Sequence, residues 1–177
     1  MTISPLKRRA FLGGSALSAL ALAQAAAPRA AAGQQTGTDE TFTYEITRTD
    51  AEWRDMLSPP EYVILRKRST ELPKTNPLWN NTAKGIYCCR GCDLTVYDSI
   101  WKVELDKGWA FYQQSRENAV LMGIDGAPPY GMTDGPGALI EARCRRCGSH
   151  LGHILSVEGD TLHCINGTSL RFLPAVV

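Results

Sequence analysis

The alternation of apolar and polar residues predicts a chain built mainly of short β-strands. The segment GIYCCRGCDLTVYDS, residues 85–99, predicts two strands joined at a cysteine turn, and GALIEARCRRCGSHLGHILS, residues 137–156, repeats that arrangement. The segment TLHCINGTSLRF, residues 161–172, predicts one last strand. Glycine and proline are frequent in residues 123–137, which predicts a loop.

The region before the first cysteine turn predicts one helix and one further strand. The segment DAEWRDMLSPPEY, residues 50–62, indicates a short helix that Pro59 and Pro60 should end. The short branched apolar run YVILRK, residues 62–67, is typical of a strand. The predicted fold class is therefore mainly β: a small antiparallel β barrel or tent-like domain with a short N-terminal helix.

Residues 1–32 predict an export signal rather than part of the folded domain. LKRRAFLGG places twin arginines before an apolar, alanine-rich run, which resembles a twin-arginine signal. The alternative is a retained membrane helix, but a run broken by Gly13 and Gly14 matches poorly the roughly 20 strongly apolar residues that span a bilayer. We expect export to the periplasm without a stable membrane anchor, a polar linker over 33–48, and a catalytic domain over 49–177.

The charge distribution argues against nucleic-acid binding. Residues 1–32 carry four of the 19 basic residues and none of the 18 acidic ones, so the rest of the chain has 15 basic and 18 acidic residues. A protein that binds nucleic acid non-specifically needs a basic surface to displace counterions from phosphates. We therefore expect no nucleic-acid partner.

Two Cys-x-x-Cys pairs give the strongest chemical signal in the chain. Cys89 and Cys92 form the first pair, and Cys144 and Cys147 form the second. Two such turns can place four thiolates around one tetrahedral ion, with Zn–S distances of about 2.3 Å. Two disulfides, or a redox pair of the thioredoxin kind, are the alternatives. The matched repeat favours a single structural zinc ion.

A further cysteine, Cys164, lies outside both pairs, and its role is open from the residues alone. Free cysteines are often simply small buried apolar residues. His150 and His153 follow the second pair and are two of the three histidines in the chain. Residues three apart in a strand point to opposite faces, so both can approach one site only if the chain turns, which Gly152 permits. Otherwise they are surface residues or extra metal ligands.

The segments STELP, GIYCCRGC, DKGWAFYQ, IEARCRRCGSHLGHI and LHCINGTSLRF, in this order, resemble the methionine-R-sulfoxide reductases of B type. The resemblance covers about residues 50–172. It implies a small β fold with a structural zinc site and a thiol-dependent reduction of methionine-R-sulfoxide, most often in proteins. The cysteine pairs, HLGH and CIN are its most specific parts.

The resemblance also implies roles for individual residues. The nucleophile of the family falls on Cys164, its two histidines on His150 and His153, and its asparagine on Asn166. Attack on the sulfoxide sulfur needs an acid that protonates the departing oxygen, and it leaves a sulfenic acid on the nucleophile. The segment GWAF places Trp109 and Phe111 at the substrate S-methyl group.

This chain departs from the family pattern at several positions. The family usually reads GWPSF where this chain has GWAF, and it usually has an arginine and an aromatic residue where this chain has Leu162 and His163. A cationic neighbour would lower the pKa of the nucleophile, so the thiolate needs other support here. The loop between His153 and Cys164 is also shorter than usual.

The reductant is expected to be an external thiol, such as a thioredoxin-like protein. Many relatives place a resolving cysteine where this chain has Lys107. Cys88 is the one spare thiol and could resolve the sulfenic acid instead. A different reading is a non-catalytic, zinc-stabilised β domain that binds a ligand or partner, although such a domain has no need for the set Cys164, His150, His153 and Asn166.

Overall fold

The computed structural model describes residues 42–125 and 139–176. These residues form two helices and nine strands. They are α1 (Asp50–Met56), α2 (Pro59–Lys67), β1 (Gly85–Cys89), β2 (Thr95–Asp98), β3 (Lys102–Val103), β4 (Ala110–Tyr112), β5 (Val120–Ile124), β6 (Ile140–Cys144), β7 (His150–Val157), β8 (Asp160–Ile165) and β9 (Leu170–Pro174). The prediction of a mainly β chain is confirmed.

The strands form two antiparallel sheets. One sheet has the order β2-β1-β9, and the other has the order β3-β4-β8-β7-β6-β5. Aromatic residues of both sheets pack in the main core, where the Tyr97 and Tyr112 rings stack 4.3 Å apart. Both cysteine turns are hairpin connections, β1 to β2 and β6 to β7, as the sequence predicts. None of the helices described is long and apolar enough to cross a membrane.

The strand predicted over residues 62–67 is wrong, because these residues form α2. Pro59 and Pro60 do not end a helix but occupy the first two positions of a new one, where a missing N–H costs nothing. The side chain of Glu61 accepts hydrogen bonds from the backbone N–H and the hydroxyl of Ser58 at 2.9 and 2.8 Å, which fixes this start.

The single strand predicted over residues 161–172 is also wrong, because a turn divides it into β8 and β9. A 3-10 turn over Gly167–Ser169 separates the two strands, which belong to different sheets. The backbone N–H groups of Gly167 and Thr168 donate to the carboxylate of Glu71 instead of to a neighbouring strand. The Glu71 carboxylate therefore satisfies two backbone N–H donors that lie between the strands and have no partner in a neighbouring strand.

The loop predicted over residues 123–137 begins later than expected. Gly123 and Ile124 complete β5 and pair with Glu141 and Ile140 of β6. Residues 126–137 of this prediction lie outside the described residues, as do the predicted export signal over 1–32 and most of the predicted linker.

Gly152 of β7 lies against the backbone of β8. A Cβ atom built on this residue would lie 2.2 Å from the carbonyl oxygen of Cys164 and 2.8 Å from the Cα of Ile165. These are backbone atoms, so they cannot move aside without parting the strands. Glycine is therefore required here by the strand spacing.

We predict that Gly152→Ala lowers the free energy of unfolding by about 1–3 kcal/mol, the usual cost of forcing extra atoms into a packed site. Gly159→Ala is the matched control, because nothing lies within 4 Å of its Cβ position and its cost is confined to a left-handed backbone with φ +91°. Urea unfolding of both variants checks this. Equal unfolding midpoints for the two would contradict the steric argument.

Candidate active site

One row of side chains crosses the six-stranded sheet and contains three of the six residues predicted for catalysis and substrate binding. In the register of the strands, Phe111 of β4 lies opposite Cys164 of β8, which lies opposite His153 of β7, which lies opposite Glu141 of β6. Directly opposed residues share a face and have Cβ atoms about 5 Å apart. Strand pairing alone therefore places a thiol between an aromatic ring and an imidazole.

A bulge in β7 brings His150 to the same face as His153. Gly152 pairs with Ala142 and His150 pairs with Arg143, so Leu151 is an extra residue that has no partner in β6. The extra residue reverses the alternation of faces, and the two imidazole rings lie 5.0 Å apart at 63°. Both imidazole rings therefore lie on one face of the sheet because of this bulge.

A cavity of about 210 Å³ opens in front of this row. Its apolar wall includes Trp109, Phe111, Leu155 and Val157, and Cys164 lies among them. Polar groups complete the lining: Thr70, Lys107, His153, Ser156 and Asn166. The cavity is smaller than the pockets of about 300 Å³ or more that hold drug-sized ligands, so it suits a single side chain.

Burial holds Cys164 as a neutral thiol. The side chain is half-buried beside an apolar cluster that includes Phe111, Leu155 and Leu162. Burial, and to a smaller degree the charge of Glu71, raises the pKa of the Cys164 thiol to about 12. Leu162 belongs to this cluster and stands where the resemblance leads us to expect an arginine, so this position supplies apolar packing instead of a positive charge.

The two histidines occupy different positions. His153 lines the cavity, and its Nε2 lies 3.0 Å from the Asp125 carboxylate. Burial lowers the pKa of His153, against the opposing effect of Asp125. His150 is only 1% exposed and lies outside the cavity lining, with its Nδ1 2.8 Å from Glu141 Oε1. The Cys164 sulfur therefore shares the cavity with His153, whereas His150 lies beside His153 and outside the cavity lining.

Asn166 lines the cavity at the end of β8, but its amide is used to hold the backbone. Its Oδ1 accepts from the backbone N–H of Glu71 at 3.1 Å, and its Nδ2 donates to the carbonyl of Leu151 at 3.2 Å. These bonds tie the turn after the cysteine strand to the bulge between the histidines. The structure thus gives Asn166 an orienting position.

Glu71 is a site residue that the sequence analysis did not single out. Glu71 is 7% exposed, and its carboxylate accepts hydrogen bonds from the backbone N–H of Gly167 at 2.6 Å and of Thr168 at 2.8 Å. Its carbonyl accepts from the indole N–H of Trp109 at 3.1 Å, which fixes that ring at the cavity wall. The only signal in the sequence was its position in STELP. Asp125 and Glu141 were missed as well, because nothing local marks them.

Two residues considered in the sequence analysis lie elsewhere. His163 points away from its neighbour Cys164, and its Nδ1 lies 3.0 Å from the Tyr97 hydroxyl. Burial lowers the pKa of His163 to about 4, so it offers no positive charge near neutral pH. Cys88 lies in β1 of the other sheet, with its sulfur 3.6 Å from the Thr95 hydroxyl, and does not line the cavity.

The four cysteines of the two pairs converge as predicted. The sulfur atoms of Cys89, Cys92, Cys144 and Cys147 lie within 4.8 Å of one another. The closest approaches across the pairs are 3.8 Å for Cys89 with Cys147 and 3.5 Å for Cys92 with Cys144. Thiolates at about 2.3 Å from one tetrahedral ion are about 3.8 Å apart, so the donor set fits a metal ion.

Both cysteine turns have the same backbone design. Each pair is followed by a residue with positive φ, Asp93 at 60° and Gly148 at 71°. The backbone N–H of Asp93 returns to Cys89 O and that of Gly148 to Cys144 O, both at 2.9 Å. The turns therefore aim both sulfurs of each pair inward, and the four thiolates could hold the ion in a closed site.

Comparison with known proteins agrees with this geometry. Residues 57–174 match the SelR domain family. The chain is 40% identical to peptide methionine sulfoxide reductase B3 of Arabidopsis thaliana over 136 residues, which are 73% of this chain and 72% of that protein. It is 37% identical to peptide methionine sulfoxide reductase MsrB of Agrobacterium fabrum, with 73% of this chain and 94% of that protein covered. This protein therefore belongs to the SelR domain family.

Proposed function

We propose that this protein reduces methionine-R-sulfoxide in oxidised proteins or peptides, with Cys164 as the nucleophile. The observation that carries the proposal is the cross-strand pair of Cys164 and His153 beside a cavity of side-chain size. Relatives that are 35–40% identical are named peptide methionine sulfoxide reductases, which supports the substrate class. The apolar wall of Trp109 and Phe111 suits the S-methyl group, which is apolar and polarisable.

The protonation states of the pair suggest how the reaction starts. A thiol with a pKa of about 12 and an imidazole with a lowered pKa are both neutral at pH 7. Asp125 binds Nε2 of His153, so the neutral ring donates there and keeps Nδ1 as its basic nitrogen. His153 then takes the Cys164 proton as the sulfur attacks the sulfoxide sulfur.

The same proton balances the reaction. Imidazolium His153 returns it to the sulfoxide oxygen as the new S–S bond forms, which avoids expelling an unprotonated oxide. The S–O bond of the substrate and the S–S bond then break as the hydroxyl group moves to the Cys164 sulfur. This leaves a sulfenic acid on Cys164 and releases methionine with the electron pair of the S–S bond. The net change is thiol plus sulfoxide to sulfenic acid plus thioether, so no outside proton is consumed. His150, Asn166 and Glu71 hold the reacting groups in place.

We propose that an external thiol, such as that of a thioredoxin-like protein, reduces the sulfenic acid. The position of Cys88 in the other sheet, outside the cavity lining, supports this route over resolution by Cys88. Two equivalents of thiol return Cys164 to its starting state, releasing water and a disulfide.

We also propose that the metal is one structural zinc ion held by Cys89, Cys92, Cys144 and Cys147. Four thiolates select zinc among common ions, and a site with four protein ligands leaves no position for a substrate. When bound, zinc supplies folding free energy and takes no part in the reduction.

We propose that residues 1–32 direct export to the periplasm. A domain that is folded and metal-loaded before export would reach the periplasm with its four ligand thiols already protected from oxidation.

The proposed function predicts stereospecific turnover that depends on one sulfur. With a peptide containing methionine-R-sulfoxide and a dithiol reductant, the protein should consume reductant, while the S epimer should give only the background rate. Cys164→Ser should fall to background because serine is a far weaker nucleophile. Reductant consumption and mass spectrometry of the peptide measure this.

Cys88→Ser is the matched control, because it removes the one other cysteine outside the metal cluster. It should turn over at the wild-type rate. A wild-type rate no higher than that of Cys164→Ser would overturn the catalytic proposal and favour a domain that binds its ligand without chemistry.

The neutral thiol–imidazole pair predicts a flat pH profile. His153 stays a neutral base until the pH falls to its pKa, which lies below 6.5. Cys164 stays a neutral thiol until the pH approaches its pKa of about 12. The value of kcat/KM should therefore be constant between about pH 7 and pH 9 and fall only in acid. Without the shuttle, free thiolate would limit the rate, which would rise about tenfold per pH unit over the same range.

His153→Asn should convert the flat profile into the rising one, since only thiolate can then react. A rising wild-type profile would show that His153 does not take the thiol proton.

The metal proposal predicts one zinc per chain, measured by plasma mass spectrometry of the purified protein. Structural zinc contributes about 10–16 kcal/mol in small zinc peptides, so Cys144→Ser should lose the ion and most of the thermal stability. Cys88→Ser should keep both, although Cys88 adjoins the ligand Cys89. A metal-free wild type with an unchanged melting temperature would contradict the proposal.

A further inference from the structure

The C-terminal end of α2 contains an arginine in a backbone conformation that favours glycine. Arg68 is the C-cap of α2, with φ 56° and ψ 35°, and its backbone N–H returns to the carbonyl of Val63. Helices that end in this left-handed conformation usually use glycine or asparagine there, because a side chain adds strain. Arg68 is one of five residues other than glycine with positive φ in the described part of the chain, and its side chain extends toward the candidate active site.

The guanidinium of Arg68 reaches the carboxylates that contact the two histidines. Its Nε lies 3.4 Å from Glu141 Oε1, and its Nη1 lies 3.9 Å from Asp125 Oδ1. Glu141 binds His150, and Asp125 binds His153. One cation at the end of a helix thus joins a carboxylate of β6 to the carboxylate that directly follows β5.

The result is a closed arrangement of alternating groups around the imidazole pair. The His150 and His153 rings meet at 5.0 Å, and each continues through its carboxylate to the same guanidinium. Glu141 is 2% exposed, so its charge needs a partner within the protein. Arg68 is about one-third exposed and is the member that connects this group to solvent.

We propose that Arg68 is a positioning residue of the reduction, which holds Glu141 and Asp125 so that His153 stays neutral and ready to accept the Cys164 proton. The inference rests on the proposed function of His153 as the proton shuttle. A single fixed cation neutralises part of the negative charge of both carboxylates, so neither can draw a proton firmly onto its imidazole. Its planar fork suits two carboxylates better than an ammonium does.

The groups that face His153 come from every element packed around it. Asp125 follows β5, Glu141 lies on β6, His150 lies on its own strand β7, and Cys164 lies on β8. Arg68 comes from the end of α2, and Lys107 lines the same cavity while pairing with Glu158 at 3.1 Å. Lys107 has its own acid. Arg143 of β6 also reaches Glu141, with its Nε 3.5 Å from Oε2. Among the residues described here, Arg68 is therefore the cation that pairs with both Glu141 and Asp125, while Arg143 pairs with Glu141.

The test compares variants of Arg68 in the full-length, metal-loaded protein. Arg68→Gln removes the charge, Arg68→Lys keeps it, and Arg68→Gly removes it while relieving the strained backbone, so loss of folding cannot explain a change. Lys67→Gln is the matched control, since it deletes a neighbouring charge that pairs instead with Asp50 at 3.7 Å. The protonation of His153 is followed by NMR of the imidazole, assigned with His153→Asn.

We expect the His153 pKa to rise by about one unit in Arg68→Gln and Arg68→Gly, because the two carboxylates then favour the imidazolium. The acid limb of kcat/KM should move upward with it, so that kcat/KM falls about fivefold at a pH equal to the wild-type midpoint. Arg68→Lys should restore most of the wild-type profile, and Lys67→Gln should leave it unchanged.

A His153 pKa that is the same in Arg68→Gly and wild type would overturn the inference. Equal shifts in Arg68→Gln and Lys67→Gln would also overturn it, because the effect would then come from general surface charge. A shifted NMR titration with an unmoved acid limb would uphold the electrostatic role of Arg68 and overturn the shuttle by His153. The failure of one proposal is therefore distinguishable from the failure of the other.

Discussion

The antiparallel pairing of β7 with β8 is the constraint on which the site depends. It places His153 opposite Cys164, and the extra residue in β7 then turns His150 to the same face. Backbone hydrogen bonds, which are local and numerous, thereby set a geometry that side chains alone would hold loosely. The close strand spacing at Gly152 belongs to the same constraint, because any side chain there would separate the nucleophile from its imidazole.

The site combines an apolar environment for the sulfur with buried charge beside the histidines. Cys164 packs against the apolar residues Leu155, Val157 and Leu162, while Glu141 and Asp125 hold the imidazoles through hydrogen bonds. In water, such a thiol would react only through its minor ionised form. In the proposed mechanism, His153 lies directly opposite and takes the proton during the attack, so Cys164 need not be ionised beforehand.

Local features of this chain were predictable from its sequence, and features that depend on distant contacts were not. Both cysteine hairpins follow from spacing within a few residues, and the convergence of the four sulfurs follows from their repetition. Pro59 misled because proline both ends helices and begins them, and only the capping contact of Glu61 decides between these. The partners of Glu71 lie about a hundred positions along the chain, and those of Arg68 lie about sixty to seventy positions along it. Both residues were missed because no local pattern marks a residue for such a distant contact.

The protonated state of Cys164 has a consequence for survival in the conditions that create its substrate. Peroxides attack thiolates far faster than thiols, and repeated attack carries cysteine to sulfinic and sulfonic acids that ordinary reductants do not reverse. A sulfur whose pKa is about 12 presents almost no thiolate to a diffusing oxidant. In the mechanism proposed above, Cys164 is thus protected from the oxidants that create the substrate, because its sulfur loses the proton only when a bound sulfoxide can receive it.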